Sequence, residues 1–248
     1  MDRIENERRF HDERFGASAD PRANLSRYYS IYKLNTEFFN GLLARCVPGA
    51  DVLEYGCAKG EKSLRWARAG ARVKGIDISG KAVEAANERA RAESLPAEFF
   101  AMDAEAMTLP DASFDVVFGE GILHHLDLKK ACREIARVLR PGGRALFVEP
   151  LGHNPALRLY RKLTPNMRTV DEHPLVRSDL EIFRRHFGQV EVTYFHLSTM
   201  AAILLRKSPL FDPALSLLHK LDEAVMKLVE PMRFWAWIAV IEMAEPRA

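Results

Sequence analysis

The sequence predicts an α/β protein with a doubly wound, mostly parallel sheet. Short apolar runs that fit buried strands cover 51–55, 72–76, 97–101, 114–119 and 144–149, and two more strands are predicted at 189–195 and 234–241. Stretches with helical spacing lie between the first strands, at 61–69, 80–93 and 128–139, and a later one covers 178–186. Apolar strands that alternate with helices form a parallel sheet with helices on both faces.

The first predicted strand leads into a turn that carries Gly56 and Gly60. Residues without a Cβ atom let a ligand lie close to such a turn, and the helix that follows directs its free N–H groups to the same place. Asp77 follows Gly56 by 21 residues and ends the second strand. An acid at this position of a doubly wound sheet can accept hydrogen bonds from ribose hydroxyls. The pattern therefore predicts a ligand that contains a nucleoside.

The turn is preceded by an acid, Glu54, whose carboxylate would repel a pyrophosphate but suits a ligand with an ammonium group. The glycine spacing also differs from the G-x-G-x-x-G pattern of dinucleotide-binding proteins. The run Glu54-Tyr55-Gly56-Cys57-Ala58-Lys59-Gly60 resembles the first motif of the class I S-adenosylmethionine-dependent methyltransferases, an acid followed by G-x-G-x-G. Ala58 stands where that motif has its middle glycine.

The resemblance continues in order to about residue 150. Asp103 matches the acid after the third strand, the turn 109–113 matches the one before the fourth, and the segment after the fourth strand ends in paired histidines. The run 137–143 matches the R-x-L-x-P-G-G turn before the fifth strand. The resemblance implies a seven-stranded Rossmann-like methyltransferase fold with an antiparallel last strand. It also implies S-adenosyl-L-methionine as cofactor and S-adenosyl-L-homocysteine as product. The implied cofactor-binding residues are Tyr28, Glu54, Gly56, Cys57, Ala58, Gly60, Asp77, Ile78, Asp103, Ala104 and Glu120.

Two segments lie outside these motifs. Residues 1–48 are predicted as an N-terminal helical arm ahead of a methyltransferase domain at 49–248. Family members often use such an arm as a lid, which implies that one or two of Tyr28, Tyr29 and Tyr32 close over the pocket. Packing of an amphipathic helix on the sheet fits the same pattern. A helical insertion is predicted at about 199–232. It would be a lid over an apolar substrate, a dimer face, a membrane-surface contact or part of the core.

Methyl transfer from a sulfonium is an in-line displacement that depends mainly on proximity and alignment. A general base is needed only when the acceptor carries a proton. Candidate bases lie after the fourth and fifth strands: His124, His125, Glu149 and His153. The polar stretch beyond them corresponds to the region where family members bind substrate, so Arg168, Asp171, Glu172 and His173 are predicted to bind it. Tyr32 of the N-terminal arm is also predicted to bind substrate. No metal site is predicted because the sequence has no H-x-x-x-H spacing, but a three-dimensional cluster of Glu149, Asp171 and His173 is left open.

Composition limits the possible partners and compartments. A formal net charge of +2 gives no global field for nucleic acid or an anionic membrane, and nucleic acid is not expected as the substrate. Three scattered cysteines indicate a reducing compartment, and no apolar run reaches the roughly 18 residues of a transmembrane helix. We therefore expect a cytoplasmic protein.

The resemblance and the apolar insertion together predict a methyltransferase for a small-molecule or lipid-like or glycan-like acceptor, and they leave oxygen, nitrogen and carbon open as the acceptor atom. The insertion favours a hydrophobic acceptor and leaves a homodimer open. An alternative interpretation is a regulatory or assembly subunit that binds S-adenosylmethionine without catalysis. A nicotinamide-dependent dehydrogenase would share the sheet, but the third fingerprint glycine is not at the required spacing.

Overall fold

The computed structural model describes residues 3–16, 30–164 and 172–247, and these are arranged around one seven-stranded sheet. The strands are β1 (Asp51–Tyr55), β2 (Arg72–Asp77), β3 (Ala97–Ala101), β4 (Phe114–Glu120), β5 (Leu139–Pro150), β6 (Phe187–Phe195) and β7 (Ile238–Pro246). Their order across the sheet is β3-β2-β1-β4-β5-β7-β6. The pairs among β1 to β5 are parallel, and β7 is antiparallel to both β5 and β6. The predicted doubly wound sheet with an antiparallel last strand is confirmed.

Helices lie before β1 and between the strands. They are α1 (Arg3–Gly16), α2 (Lys33–Cys46), α3 (Glu61–Arg68), α4 (Gly80–Ala92), α5 (Leu128–Val138), α6 (Pro155–Leu163), α7 (Asp179–His186) and α8 (Phe211–Leu228). The Ser79 hydroxyl accepts a hydrogen bond from Ala82 N at 3.2 Å and caps the start of α4. The helices predicted at 61–69, 80–93 and 128–139 each end one residue earlier in the structure.

The last strand differs from its predicted position of 234–241. Residues Glu230–Trp235 form a 3-10 turn, and strand pairing with β6 begins at Ile238. The aromatic run at 234–237 is typical of a strand, but Pro231 starts the turn and half of Trp235 is exposed. The paired strand therefore continues beyond the apolar run to Pro246.

The core lies on both faces of the sheet because successive strand residues point in opposite directions. Leu53 and Tyr55 on β1 pack in the cluster that contains α5 and α7, through residues such as Ile135 and Phe183. Val52 packs on the other side, in the cluster that contains α2 and α3. Both faces are therefore closed by helices, and the open edge is at the ends of the strands.

The insertion before β7 is one long helix between two 3-10 turns, Thr199–Leu205 and Glu230–Trp235. Only one side of α8 is buried, through residues such as Leu215 and Asp222. Large apolar residues of the insertion that are exposed are Leu204, Leu210, Leu217, Leu221, Leu228, Val229 and Trp235. None of the helices in the described ranges is both long enough and apolar enough to cross a membrane.

Candidate functional site

A cavity of about 150 Å³ opens at the carboxyl ends of β1, β2, β3 and β4. Ligands of doubly wound sheets bind at this edge. The cavity is lined by Arg3, Ile4, Glu7, His11, Gly56, Ala58, Ile76, Asp77, Ile78, Met102, Asp103, Ala104, Glu105, Glu120, Gly121, Ile122, His125 and Leu126. Its volume is below the roughly 300–1,000 Å³ typical of small-molecule sites, because α1 lies over it.

The turn after β1 forms one wall of the cavity. Its backbone is left-handed at Gly56 (φ +78°), Ala58 (φ +46°) and Gly60 (φ +71°). A Cβ atom on Gly56 would lie 3.0 Å from the Ile122 side chain, so glycine is required where the chain meets the segment after β4. The predicted cofactor residues Cys57 and Gly60 do not line the cavity. Cys57 is buried, and a Cβ atom on Gly60 would meet Phe99 at 2.8 Å, so both face the packing side of the turn.

Asp77, at the end of β2, is hydrogen-bonded to the turn after β1 and to the start of α4. Its Oδ2 accepts a hydrogen bond from Ala58 N at 2.8 Å, and its Oδ1 accepts one from Ser79 N at 2.9 Å. The carboxylate thus fixes the turn after β1 against the start of α4, and its residue lines the cavity. Ile78, also predicted to bind the cofactor, lies next to it in the lining.

Glu54, which is predicted from the sequence as a cofactor contact, is not among the residues that line the cavity. Its buried carboxylate accepts hydrogen bonds from Ser63 N at 3.0 Å and from the Ser63 hydroxyl, at the first turn of α3. Burial raises the pKa of Glu54 to about 7, against the opposing effect of the Ser63 hydrogen bonds. The side chain lies on the same face of β1 as Val52, which packs towards α2 and α3.

Glu120 ends β4 in the cavity lining and forms an ion pair with Lys62 of α3. Burial lowers the pKa of Lys62 to about 8, although the charge of Glu54 opposes this effect. The predicted residues Asp103 and Ala104 lie opposite, where Asp103 Oδ1 accepts a hydrogen bond from Glu105 N at 2.8 Å. The carbonyl oxygen of Ala104 accepts a hydrogen bond from the buried Tyr55 hydroxyl.

His124 lies between two acids behind the cavity. Its Nδ1 is 2.7 Å from Glu149 Oε2, and its Nε2 is 3.1 Å from Glu172 Oε1. Glu149 Oε1 accepts hydrogen bonds from Ile122 N at 2.9 Å and Leu123 N at 2.8 Å. Burial lowers the pKa of His124, but the hydrogen bonds to Glu149 and Glu172 outweigh it and raise the pKa to about 9. We therefore expect His124 to be protonated near neutral pH and to donate from both ring nitrogens, whereas the sequence predicts it as a candidate general base.

The remaining predicted residues are not gathered at one place. His125 lines the cavity, and His173 N donates to the His124 carbonyl at 2.8 Å. His153 lies elsewhere, where its Nε2 accepts from Arg177 N at 3.0 Å. Tyr32 packs edge-on against Trp237, with ring centroids 5.0 Å apart, and does not reach the cavity. The predicted residues that lie outside the described ranges are Tyr28, Arg168 and Asp171.

Sequence reasoning missed the residues that α1 brings to the site. Arg3 donates to the His125 carbonyl oxygen at 2.7 Å and forms an ion pair with the buried Glu105. Arg3, Glu7 and His11 repeat every four residues, so they share one face of the helix and all line the cavity. This spacing was visible in the sequence, but nothing in it indicated which surface the helix would cover.

The cavity lining has an excess of acid. Five carboxylate residues line it against one guanidinium, that of Arg3. The acids are Glu7, Asp77, Asp103, Glu105 and Glu120. Like charges at this density favour a cationic ligand and oppose a phosphate.

Comparison with known proteins identifies the central part of the chain. Residues 53–147 match the family model of a methyltransferase domain. The chain is 47% identical to the 27-O-demethylrifamycin SV methyltransferase of Amycolatopsis mediterranei (strain S699) over 100 residues, which are 39% of this chain and 37% of that protein. It is 32% identical to a ubiquinone biosynthesis O-methyltransferase of Ralstonia nicotianae (strain ATCC BAA-1114 / GMI1000) over 130 residues, 52% of this chain and 54% of that protein. The matches thus span about half or less of the length of these relatives.

A solved structure is similar over nearly the whole chain. It is the crystal structure of geranyl diphosphate C-methyltransferase from Streptomyces coelicolor A3(2) in complex with Mg²⁺, geranyl diphosphate and S-adenosyl-L-homocysteine. The TM-score is 0.66 at 13% identity, with 99% of this chain and 98% of that chain covered. At this identity the likeness concerns the fold.

Proposed function

We propose that this chain, which belongs to the class I S-adenosylmethionine-dependent methyltransferases, transfers a methyl group to a hydroxyl oxygen of a small molecule. The observation that carries the proposal is the acid-rich cavity at the strand ends, in the position where this fold binds its cofactor. One relative is named as an O-methyltransferase and another as the methyltransferase of an O-demethyl compound, which supports oxygen as the acceptor atom.

The residues of the cavity fit the cofactor. When bound, S-adenosylmethionine supplies a methyl group on a sulfonium sulfur, and this cation and the amino group suit a lining with five acids. Asp77 is at the strand end where an acid can accept from ribose hydroxyls. Gly56, in the turn after β1, and Asp103, after β3, both line the cavity.

The chain's own contribution to the reaction is mainly alignment. The Glu149 carboxylate accepts hydrogen bonds from the backbone N–H groups of Ile122 and Leu123. It thereby fixes the segment directly after β4, which lines the cavity and is called the cavity floor. His124 ties this floor to Glu172 on the segment before β6. We infer that this buried set positions the acceptor relative to the sulfonium, since in-line displacement depends on alignment to within a fraction of an ångström.

The finer predictions about the setting stay predictions. Cys46, Cys57 and Cys132 are free thiols, which supports a reducing, cytoplasmic environment. Exposed leucines on α8 support either a hydrophobic acceptor or a homodimer. Sedimentation of the purified chain at several concentrations would distinguish a monomer from a dimer.

Calorimetric titration tests the cofactor, and a separate assay tests the transfer. We expect micromolar binding of S-adenosylmethionine and S-adenosylhomocysteine and none of NAD. Label from the cofactor's methyl group should then pass to a member of a set of hydroxylated small molecules that includes 27-O-demethylrifamycin SV. If the chain binds S-adenosylmethionine but transfers no label to any of these acceptors or to any component of a metabolite extract, the interpretation as a non-catalytic binding subunit would be favoured.

The Asp77→Ala variant tests the placement of the cofactor. We expect its affinity for S-adenosylhomocysteine to fall by about 1.5–3 kcal/mol, the size of lost hydrogen bonds to a charged group. Glu98→Ala is the matched control, because Glu98 is an exposed acid on β3 that does not line the cavity. Equal affinities of a folded Asp77→Ala variant and the control would contradict the assignment of Asp77.

A further inference from the structure

We propose that Glu7, His11 and His125 form a binding site for a divalent transition metal that joins α1 to the turn after β4. Each residue offers one ligand atom, and the three atoms all lie within 4.8 Å of one another. Two of the residues come from one helix and the third from the floor of the cavity, so an ion bound here would connect two separate parts of the fold. Metal binding does not depend on the proposed function.

The distances suit a tetrahedral metal. Glu7 Oε2 lies 3.4 Å from His11 Nε2 and 3.6 Å from His125 Nδ1. Ligands about 2.0–2.2 Å from Zn²⁺ at tetrahedral angles are about 3.3–3.6 Å from one another. The two contacts are therefore longer than good hydrogen bonds and close to the separation of two ligands on one ion.

The helix places its two donors in a suitable pattern. Glu7 and His11 are separated by four residues and lie on the same face of α1. Glu7 is buried and His125 nearly so, so an ion would sit in a protected position. Two imidazoles and one carboxylate are a ligand set that zinc and similar ions accept, with one coordination position left open. All three residues line the cavity, so an ion bound by them would lie at its wall.

A second group of donor atoms, that of His124, His125 and Glu172, is less suitable. Both ring nitrogens of His124 are already within hydrogen-bonding distance of carboxylates, at 2.7 Å and 3.1 Å. A ligand histidine needs a nitrogen lone pair directed at the ion. His125 therefore fits better as a ligand in the first group than in the second. With its nitrogen bound to a metal, His125 would not act as a free base.

The test uses the full chain after removal of metals with a chelator. Titration with Co²⁺ should give one equivalent of binding and visible absorption bands typical of a nitrogen and oxygen ligand set. Zn²⁺ should displace Co²⁺, and the amide hydrogens of α1 should exchange more slowly when either ion is bound. His11→Ala and His125→Ala should each weaken Co²⁺ binding at least about tenfold, with circular dichroism reporting whether each variant is folded.

The control is His219→Ala. His219 and Glu223 are also a His/Glu pair four residues apart, on α8, with 3.8 Å between Nε2 and Oε1, but they do not belong to any three-residue donor group found in the described part of the chain. This variant should bind Co²⁺ like the wild type. The proposal is overturned if no equivalent binds, if His219→Ala is affected as strongly as His11→Ala, or if bound metal leaves the exchange of α1 unchanged.

Discussion

His196 is a fully buried histidine that the fold keeps neutral. Its Nε2 lies 2.9 Å from Asn35 Oδ1 and its Nδ1 lies 3.0 Å from the Thr199 hydroxyl, so one nitrogen donates and the other accepts. Burial lowers the pKa of His196 to about 3, with a smaller contribution from His219. The side chain thus links α2, the end of β6 and the start of the insertion in its uncharged form.

This pKa makes a prediction about acid stability. In the unfolded chain the pKa of a histidine is about 6.5, so the unfolded state binds more protons than the native state between pH 6.5 and 3. His196 therefore contributes stability above pH 6.5 that is lost as the pH falls towards 3. Urea unfolding at several pH values measures the free energy of unfolding of the wild type and of His196→Gln. The difference between the two should shift against the wild type by about 1 kcal/mol or more between pH 7 and pH 5. Parallel curves would contradict the neutral, buried His196.

At the scale of single residues, sequence patterns located strand ends better than side-chain directions. Asp77, Asp103 and Glu120 line the cavity because each is at or just beyond the carboxyl end of a strand, which apolar runs reveal. Glu54 is also an acid near the carboxyl end of an apolar run, but it lies inside β1. The direction of its side chain therefore depends on which face of the sheet α3 covers. His124 was recognisable as a residue near the site, but its protonation depends on Glu149 and Glu172, which are remote in the sequence.

At the scale of elements, a buried acid on α8 accepts the hydrogen bonds that join this helix to the end of β6. The carboxylate of Asp222 accepts hydrogen bonds from Leu197 N at 2.9 Å, from Ser198 N at 2.8 Å and from the Ser198 hydroxyl at 2.6 Å. These donors start the insertion, just after β6 ends. The contact fixes the helix relative to the strand through backbone groups that would otherwise be buried without an acceptor.

We expect Asp222→Ala to lower the free energy of unfolding by about 2–4 kcal/mol, because buried N–H donors lose their acceptor. Glu223→Ala is the matched control on the next, exposed position, and should change stability by less than about 0.5 kcal/mol. Asp222→Asn keeps one acceptor oxygen and should fall between the two. Urea denaturation of the three variants measures this order, and equal stabilities of Asp222→Ala and Glu223→Ala would refute it.

The elements themselves were predictable where periodicity is strong. Strands β1 to β4 and the helices that follow β1, β2 and β4 appear in the sequence as alternating apolar runs and amphipathic stretches, because both faces of a parallel sheet are buried. The insertion was less predictable because its leucines lie all around α8, so the pattern does not show that Leu215 is buried and Leu217 exposed. The start of β7 was missed because aromatic residues of a 3-10 turn have the same composition as a strand.

At the scale of the whole molecule, α1 lines the cavity but is not part of the hydrophobic core formed by the described residues. Residues of α1 are absent from the four buried hydrophobic clusters of the described chain, and the helix is held mainly by polar contacts. Arg3 reaches the cavity floor and Glu105, while Asp12 accepts a hydrogen bond from the Ser79 hydroxyl at the start of α4. An element attached in this way can leave without exposing the core, so α1 is suited to open and close the site.

The contacts of α1 predict how quickly the cofactor enters. The cavity that α1 lines is about 150 Å³, below the volume typical of small-molecule sites. We therefore expect that α1 must move before S-adenosylhomocysteine binds, and that the fraction of open molecules limits the association rate. The double variant Arg3→Ala/Asp12→Ala removes polar ties on the inner face and should raise the association rate of S-adenosylhomocysteine about fivefold or more, since 1 kcal/mol changes an equilibrium by that factor. The control is Glu5→Ala/Arg8→Ala, which removes an exposed ion pair of 3.0 Å from the same helix. Stopped-flow binding measures both rates, and equal rates in the two double variants would show that α1 does not control entry.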